Sequence, residues 1–143
     1  MVDLTSSQED YLEAILELGG TSGGVRTSDI ADRLGVRRAS VSATLRVLAA
    51  RGLVDHRAYG RTSLTPRGRA RALAVRRRHE SLREFFLEVL GLPPDHADAA
   101  ACAMEHAAPR ALPARLRALT QWLQRHPDGR RWLARTVSRS RRR

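Results

Sequence analysis

With 143 residues the chain has room for one domain, or for a small domain plus an assembly segment. Its 26 basic side chains are all arginine and stand against 15 acids, so the formal charge of +11 makes nucleic acid the first partner to consider. A single cysteine excludes an intramolecular disulfide framework, and no apolar run approaches the ~18 residues of a membrane span. The expectation is a cytoplasmic chain without a membrane partner.

The chain begins with "LTSSQEDYLEAILELGG", where Thr5 and Gln8 have capping-box spacing and Tyr11, Leu12, Ile15 and Leu16 recur at helical intervals before a Gly-Gly stop. Asp10, Glu13 and Glu17 share the other face of that helix. Two helices joined at Gly35 follow: a short one capped by Thr27 or Ser28, and a second carrying Val41, Leu45 and Leu48. That pair predicts a helix-turn-helix. "LVDHRAYGRTSLTPRG" then reads as a two-stranded wing turning at Tyr59-Gly60, after which Thr65 caps a long helix with Pro66 at its first position. This helix runs to about Leu90. Its front half is arginine-rich; its apolar Leu82, Phe85, Phe86, Val89 and Leu90 lie toward the back. A short Ala-rich helix precedes Pro109, and another spans about residues 113–124 with Leu116, Leu119, Trp122 and Leu123. The remainder reads as a basic tail.

A recognition helix needs a polar face near its N-terminus and cations for phosphate. Arg37, Arg38, Ala39, Ser40, Ser42 and Ala43 lie opposite the Val41, Leu45 and Leu48 stripe, and Arg46 and the wing's Arg61 add charge. Arg37 or Arg38 is expected to read a base, because a guanidinium can take guanine O6 and N7 as a bidentate pair.

"CAMEH" sets Cys102, Glu105 and His106 at i, i+3 and i+4, which projects all three from one helix face. Thiolate, carboxylate and imidazole all suit first-row transition metals. Taken alone, the pattern equally fits a buried cysteine beside a surface glutamate and histidine, with Met104 in the core. The helix-1 acids and His79, an imidazole interrupting a run of arginines in "RRRHESLREF", are further candidates, so that three helices share one site.

The ordered blocks "QEDYLEAI", "TSDIADRLGV", "ASVSATLRVLAARGLVDH", "LTPRGRA", "RRHESLREFF" and "CAMEH" resemble, in order and spacing, the diphtheria-toxin-repressor and manganese-transport-regulator family, over roughly residues 4–125. The resemblance implies a mainly α fold: a winged helix-turn-helix DNA-binding domain at residues 1–73, an all-helical metal-binding and dimerisation domain at 74–126, and a basic tail at 127–143. It implies Asp10, Cys102, Glu105 and His106 as ligands of one metal site, and Glu13 and His79, sharing Glu105, as ligands of a second. The implied protein is no enzyme. It is a homodimeric repressor that binds a divalent metal and an inverted-repeat duplex operator, controls metal-uptake genes, and takes no small organic ligand.

The chain mixes features of two branches of that family. Asp10 and Glu13 resemble the manganese branch, whereas Cys102 resembles the iron branch, whose ancillary site has an acid where Arg83 stands and a histidine where Asp98 stands. Oxygen ligands favour Mn²⁺ slightly over Fe²⁺, with Co²⁺ and Zn²⁺ also within the chemistry of the set. The competing expectation is a metal-independent winged-helix regulator, or one that senses oxidation through Cys102.

Overall fold

Thr5 opens the first helix by the predicted reciprocal cap: Gln8 N–H donates to Thr5 Oγ1 at 3.2 Å, and Thr5 N–H donates to Gln8 Oε1 at 3.3 Å. The computed structural model describes residues 4–19, 23–56, 60–109 and 111–140. The chain divides into two compact units, Met1–Val75 and Arg76–Arg143.

In the first unit, α1 (Ser6–Glu17), α2 (Thr27–Leu34) and α3 (Arg38–Ala50) are followed by β1 (Val54–His56) and β2 (Thr62–Leu64). The strands pair antiparallel with Val54 opposite Leu64 and His56 opposite Thr62. Gly35, at φ +65°, ends α2 in the left-handed region that a residue without Cβ enters at little cost. The predicted stripe of Val41, Leu45 and Leu48 is fully buried and packs with Leu12, Ile15, Ile30, Val25 and Leu53 into one core. This is a winged helix-turn-helix.

The cap of α2 differs from expectation. Arg26, not Thr27 or Ser28, is the N-cap residue, and no side chain caps the helix. The cause is upstream: Val25 exchanges both backbone hydrogen bonds with Thr62, at 2.7 and 2.8 Å, which holds the chain extended until Arg26 and starts the helix at Thr27. Tyr59 of the expected wing turn lies outside the described residues.

The long helix α4 (Pro66–Glu88) begins in the first unit, where Gly68 N–H donates to Thr65 Oγ1 at 3.0 Å. Gly68 sits so close to the strand that an added Cβ would stand 1.8 Å from the Leu53 carbonyl oxygen. The boundary between the units falls within this helix, after Val75. Beyond it come α5 (Pro94–Glu105), α6 (Leu112–Arg125) and α7 (Pro127–Ser140). Leu82, Phe86, Ala97 and Ala101 form a second, smaller core, against which Phe85, Leu92 and Leu116 pack. Arg117 of α6 donates to Ser81 Oγ of α4 at 2.7 Å, tying these helices together.

Two expectations for the second unit change. Met104 is 40% exposed, not core: the buried positions of α5 are Ala97, Ala101 and Glu105, one every four residues, and Met104 projects about 100° away from Glu105, the buried residue next to it at the end of the helix. Much of the segment read as a tail is α7, whose first helical position is a proline and which approaches α6 closely enough that a Cβ on Gly129 would meet Leu123 O at 2.4 Å. Residues 141–143 of that segment lie outside the described residues.

Candidate metal centre and nucleic-acid face

The start of α3 presents Arg37 as N-cap and Arg38 as first residue, and both are exposed together with Ala39, Ser40, Ala43 and Arg46, while Ser42 is half-buried. Because Val41, Leu45 and Leu48 take the opposite face into the core, the polar face of α3 turns to solvent. Arg61 of the wing is exposed and donates through Nη1 to Gly24 O at 3.0 Å, which ties one edge of the guanidinium to the backbone. Around these residues lies a concave surface of about 510 Å³ lined by Arg26, Thr27, Ser28, Arg38, Gly60 and Arg61.

Three arginines and the start of a helix without a side-chain cap make this hollow a place for an anion. Arg26, Thr27 and Ser28 were missed by sequence reasoning, which assigned the two hydroxyls to capping. An arginine immediately before a helix start was the available signal.

In the second unit, α4 carries His79 and α5 carries Cys102 and Glu105, with His106 as the α5 C-cap. Their spacing along α5 brings Cys102 and Glu105 to one face, and the facing turn of α4 supplies His79. His79 Nδ1 lies 2.9 Å from Glu105 Oε2 and 3.8 Å from Cys102 Sγ. Glu105 is almost fully buried, and its other oxygen stands 3.3 Å from His106 Nε2, so each carboxylate oxygen faces a different imidazole. A buried carboxylate costs several kcal/mol of solvation unless partners compensate. The two imidazoles provide that compensation.

Donor atoms of His79, Cys102 and Glu105 lie within 4.8 Å of one another. Bonds of about 2.0–2.3 Å to nitrogen, sulfur and oxygen allow one ion to serve all three after small adjustments. The donor chemistry and the spacing fit a transition metal. Cys102 is exposed, as an entry route for an ion requires. Asp10 and Glu13 lie one turn apart on α1 of the first unit, both partly buried.

Of the remaining histidines, His56 bonds Thr62 Oγ1 at 2.8 Å within the wing. His126 stacks on Trp122 with ring centroids 4.7 Å apart, and His96 is exposed in the first turn of α5. The second unit also carries an apolar groove of about 510 Å³ between α4, α6 and α7, in which Leu90, Leu119, Trp122 and Trp132 are each more than 40% exposed.

A winged helix-turn-helix with an arginine-rich face, in a chain that also converges thiol, imidazole and carboxylate, is the make-up of a metal-dependent DNA-binding regulator. Residues 3–61 match the family described as iron dependent repressor, N-terminal DNA binding domain. Residues 65–134 match iron dependent repressor, metal binding and dimerisation domain. The HTH-type transcriptional regulator MntR of Listeria monocytogenes is 34% identical over 124 residues, 87% of each chain. The iron-dependent repressor IdeR of Mycobacterium leprae is 34% identical over 106 residues, 74% of this chain and 46% of that protein. Among solved structures, a manganese-dependent transcriptional repressor in complex with manganese superposes with a TM-score of 0.72 at 39% identity, covering 84% of this chain. This chain spans 55% of that structure's length.

The chain belongs to the iron-dependent repressor family of transcriptional regulators and is a metal-dependent repressor of the MntR and IdeR type, not an enzyme. Of the two expectations for the sequence, the family decides for the metal-dependent regulator. No helix among the described residues is long and apolar enough to cross a membrane.

Proposed function

We propose that this protein is a cytoplasmic, homodimeric repressor of metal-uptake genes, whose affinity for an inverted-repeat operator is set by Mn²⁺ or Fe²⁺. The observation that carries the reading is the meeting of two metal-ligating side chains, His79 and Cys102, around a buried Glu105 that either ligand set can share. Asp10, Cys102, Glu105 and His106 form one ligand set; Glu13 and His79, sharing Glu105, form a second. A Glu105 with each oxygen against a different imidazole supports such sharing. The bound ion supplies the positive charge on which these donors converge.

Coupling follows from where the ligands sit in the chain. Asp10 and Glu13 belong to the first unit and the remaining four to the second. A shared ligand set therefore favours whichever arrangement of the units lets all of them bind, and regulation amounts to about 1.4 kcal/mol for each tenfold change in operator affinity. In each protomer Arg37 or Arg38 reads a guanine edge while Ala39, Ser40, Ser42, Ala43 and Arg46 face the groove. Arg61, with Arg26, takes phosphate. Two such helices, one per protomer, match half-sites about one DNA turn apart. The apolar groove of Leu90, Leu119, Trp122 and Trp132 supports a dimer contact in the second unit.

Oxygen donors from Asp10, Glu13 and Glu105 suit Mn²⁺, and the thiolate of Cys102 draws the preference toward Fe²⁺. Mn²⁺ is favoured slightly. The test is selection of duplex from a random-sequence pool with Mn²⁺ present, then anisotropy of the selected duplex with Mn²⁺, with Fe²⁺ under anaerobic conditions, and with chelator. Either metal should tighten binding at least tenfold over chelator, and enrichment of the same sequences in chelator would overturn the reading.

A further inference from the structure

His79 is held from both sides of its ring, and the side away from Cys102 is occupied by a pair of charges. His79 Nε2 lies 3.2 Å from Asp98 Oδ1, and the same oxygen accepts from Arg83 Nε at 3.1 Å. The arrangement repeats by helical turns: His79 and Arg83 are four residues apart on α4, and Asp98 and Cys102 four apart on α5. Arg83 and Asp98 are 42% and 57% exposed, and an ion pair so exposed adds little to stability. Its geometry suits another task.

A neutral imidazole has one N–H and one lone pair, and which nitrogen carries the hydrogen is decided by what each one faces. The carboxylate of Asp98, paired with a guanidinium that can only donate, presents an oxygen that only accepts. Nδ1 faces Cys102 and Glu105, and to ligate an ion there it must offer its lone pair. The ring hydrogen then belongs on Nε2, where Asp98 accepts it.

We propose that Asp98 and Arg83 are positioning residues for the metal centre: Asp98 fixes the ring rotation and tautomer of His79 so that Nδ1 is the ligating atom, and Arg83 holds Asp98 in that role. The proposal rests on the reading of His79, Cys102 and Glu105 as metal ligands. Arg83 has a second effect. It occupies the Asp98 oxygen nearest to His79, which keeps a carboxylate beside an imidazole from collecting an ion of its own. A carboxylate that orients a ligating histidine typically changes metal affinity about 10–100-fold when removed.

The test uses the full chain and Co²⁺ as probe, following thiolate-to-cobalt charge-transfer absorbance and measuring affinity by competition with a chelator of known strength. The parent protein should show the charge-transfer band, and Cys102→Ser and His79→Ala should lose it or lose most of the affinity. Asp98→Ala should keep the band and the melting temperature but bind Co²⁺ about tenfold more weakly. Asp98→Asn, which still offers a carbonyl oxygen to Nε2–H, should recover part of that loss. Arg83→Ala should weaken binding in the same direction.

With Zn²⁺ bound, nitrogen-15 shifts of the His79 imidazole should report Nδ1 as the coordinated nitrogen and a hydrogen on Nε2, and Asp98→Ala should shift the ring toward a mixture of coordination through Nδ1 and Nε2. Unchanged Co²⁺ affinity in Asp98→Ala, alongside loss in His79→Ala and Cys102→Ser, would overturn the positioning role and leave the centre standing. Tighter binding in Arg83→Ala would also overturn it, since Asp98 would then be a ligand that Arg83 competes for. Unchanged Co²⁺ binding in both His79→Ala and Cys102→Ser would overturn the centre itself.

Discussion

Glu105→Ala separates the metal-dependent part of the second unit's stability from the rest. The side chain is almost fully buried and touches both His79 and His106, at 2.9 and 3.3 Å. Removing it forfeits charge-assisted contacts of about 1.5–3 kcal/mol, but it also removes a carboxylate whose burial costs several kcal/mol of solvation. These oppose each other, so the metal-free variant should melt close to the metal-free parent. The metal-dependent increment behaves differently. An ion at 100 times its Kd stabilises the folded form by about 2.7 kcal/mol, and for a unit of this size each kcal/mol raises Tm by about 4–8 °C. Saturating Mn²⁺ should therefore raise the parent's Tm by roughly 10–20 °C. In Glu105→Ala the increment should nearly vanish. Calorimetry of both proteins, with Mn²⁺ and with chelator, provides the four curves. A full Mn²⁺ increment in the variant would refute the assignment of Glu105 as the shared ligand.

Gly68→Ala places a Cβ 1.8 Å from Leu53 O, so the strand or the start of α4 must move, and denaturant unfolding should show a loss of about 1–3 kcal/mol or more. Arg38→Ala or Arg37→Ala, whichever residue reads the base, should lose about 1–3 kcal/mol of discrimination at one operator position, read by competition between duplexes differing there. Arg26→Ala and Arg61→Ala should instead weaken all duplexes alike and lower the slope of log affinity against log salt by about 1 each, measured by anisotropy across a salt series. Trp122→Asp puts a charge into the apolar groove and should shift sedimentation toward the monomer.

The fold was legible where a local rule and the apolar period agreed. Thr5 with Gln8, Gly35 after Leu34, and the Val41, Leu45, Leu48 stripe each appear where the residues imply them. The cap of α2 was not legible, because the bridge between Val25 and Thr62 that fixes it joins residues far apart in sequence. Nor was α7: its arginines dominate its composition, and what orders it is the close packing of Gly129 on Leu123, a contact with α6. Met104 was placed inside for being apolar, although the α5 stripe is defined by alanines small enough to let α4 approach.

At the candidate metal centre, the spacing of Cys102, Glu105 and His106 pointed to one helix face, and His79 stood out as an imidazole among arginines. How His79 meets Cys102 and Glu105 depends on the approach of α4 and α5, which no spacing within either helix encodes. Arg83 and Asp98 registered only as departures from a family pattern. Their pairing through one oxygen, with His79 on the same atom, is visible only when the two helices are side by side.

The central claim is that DNA affinity is governed by the ligand set built around Glu105. Its most direct test is anisotropy of the selected duplex with parent and Glu105→Ala proteins, each with Mn²⁺ and with chelator. Chelation should cost the parent at least tenfold in affinity, and Glu105→Ala should bind as weakly with Mn²⁺ as without. Parent protein that binds equally tightly in both conditions, with Glu105→Ala matching it, would contradict the claim.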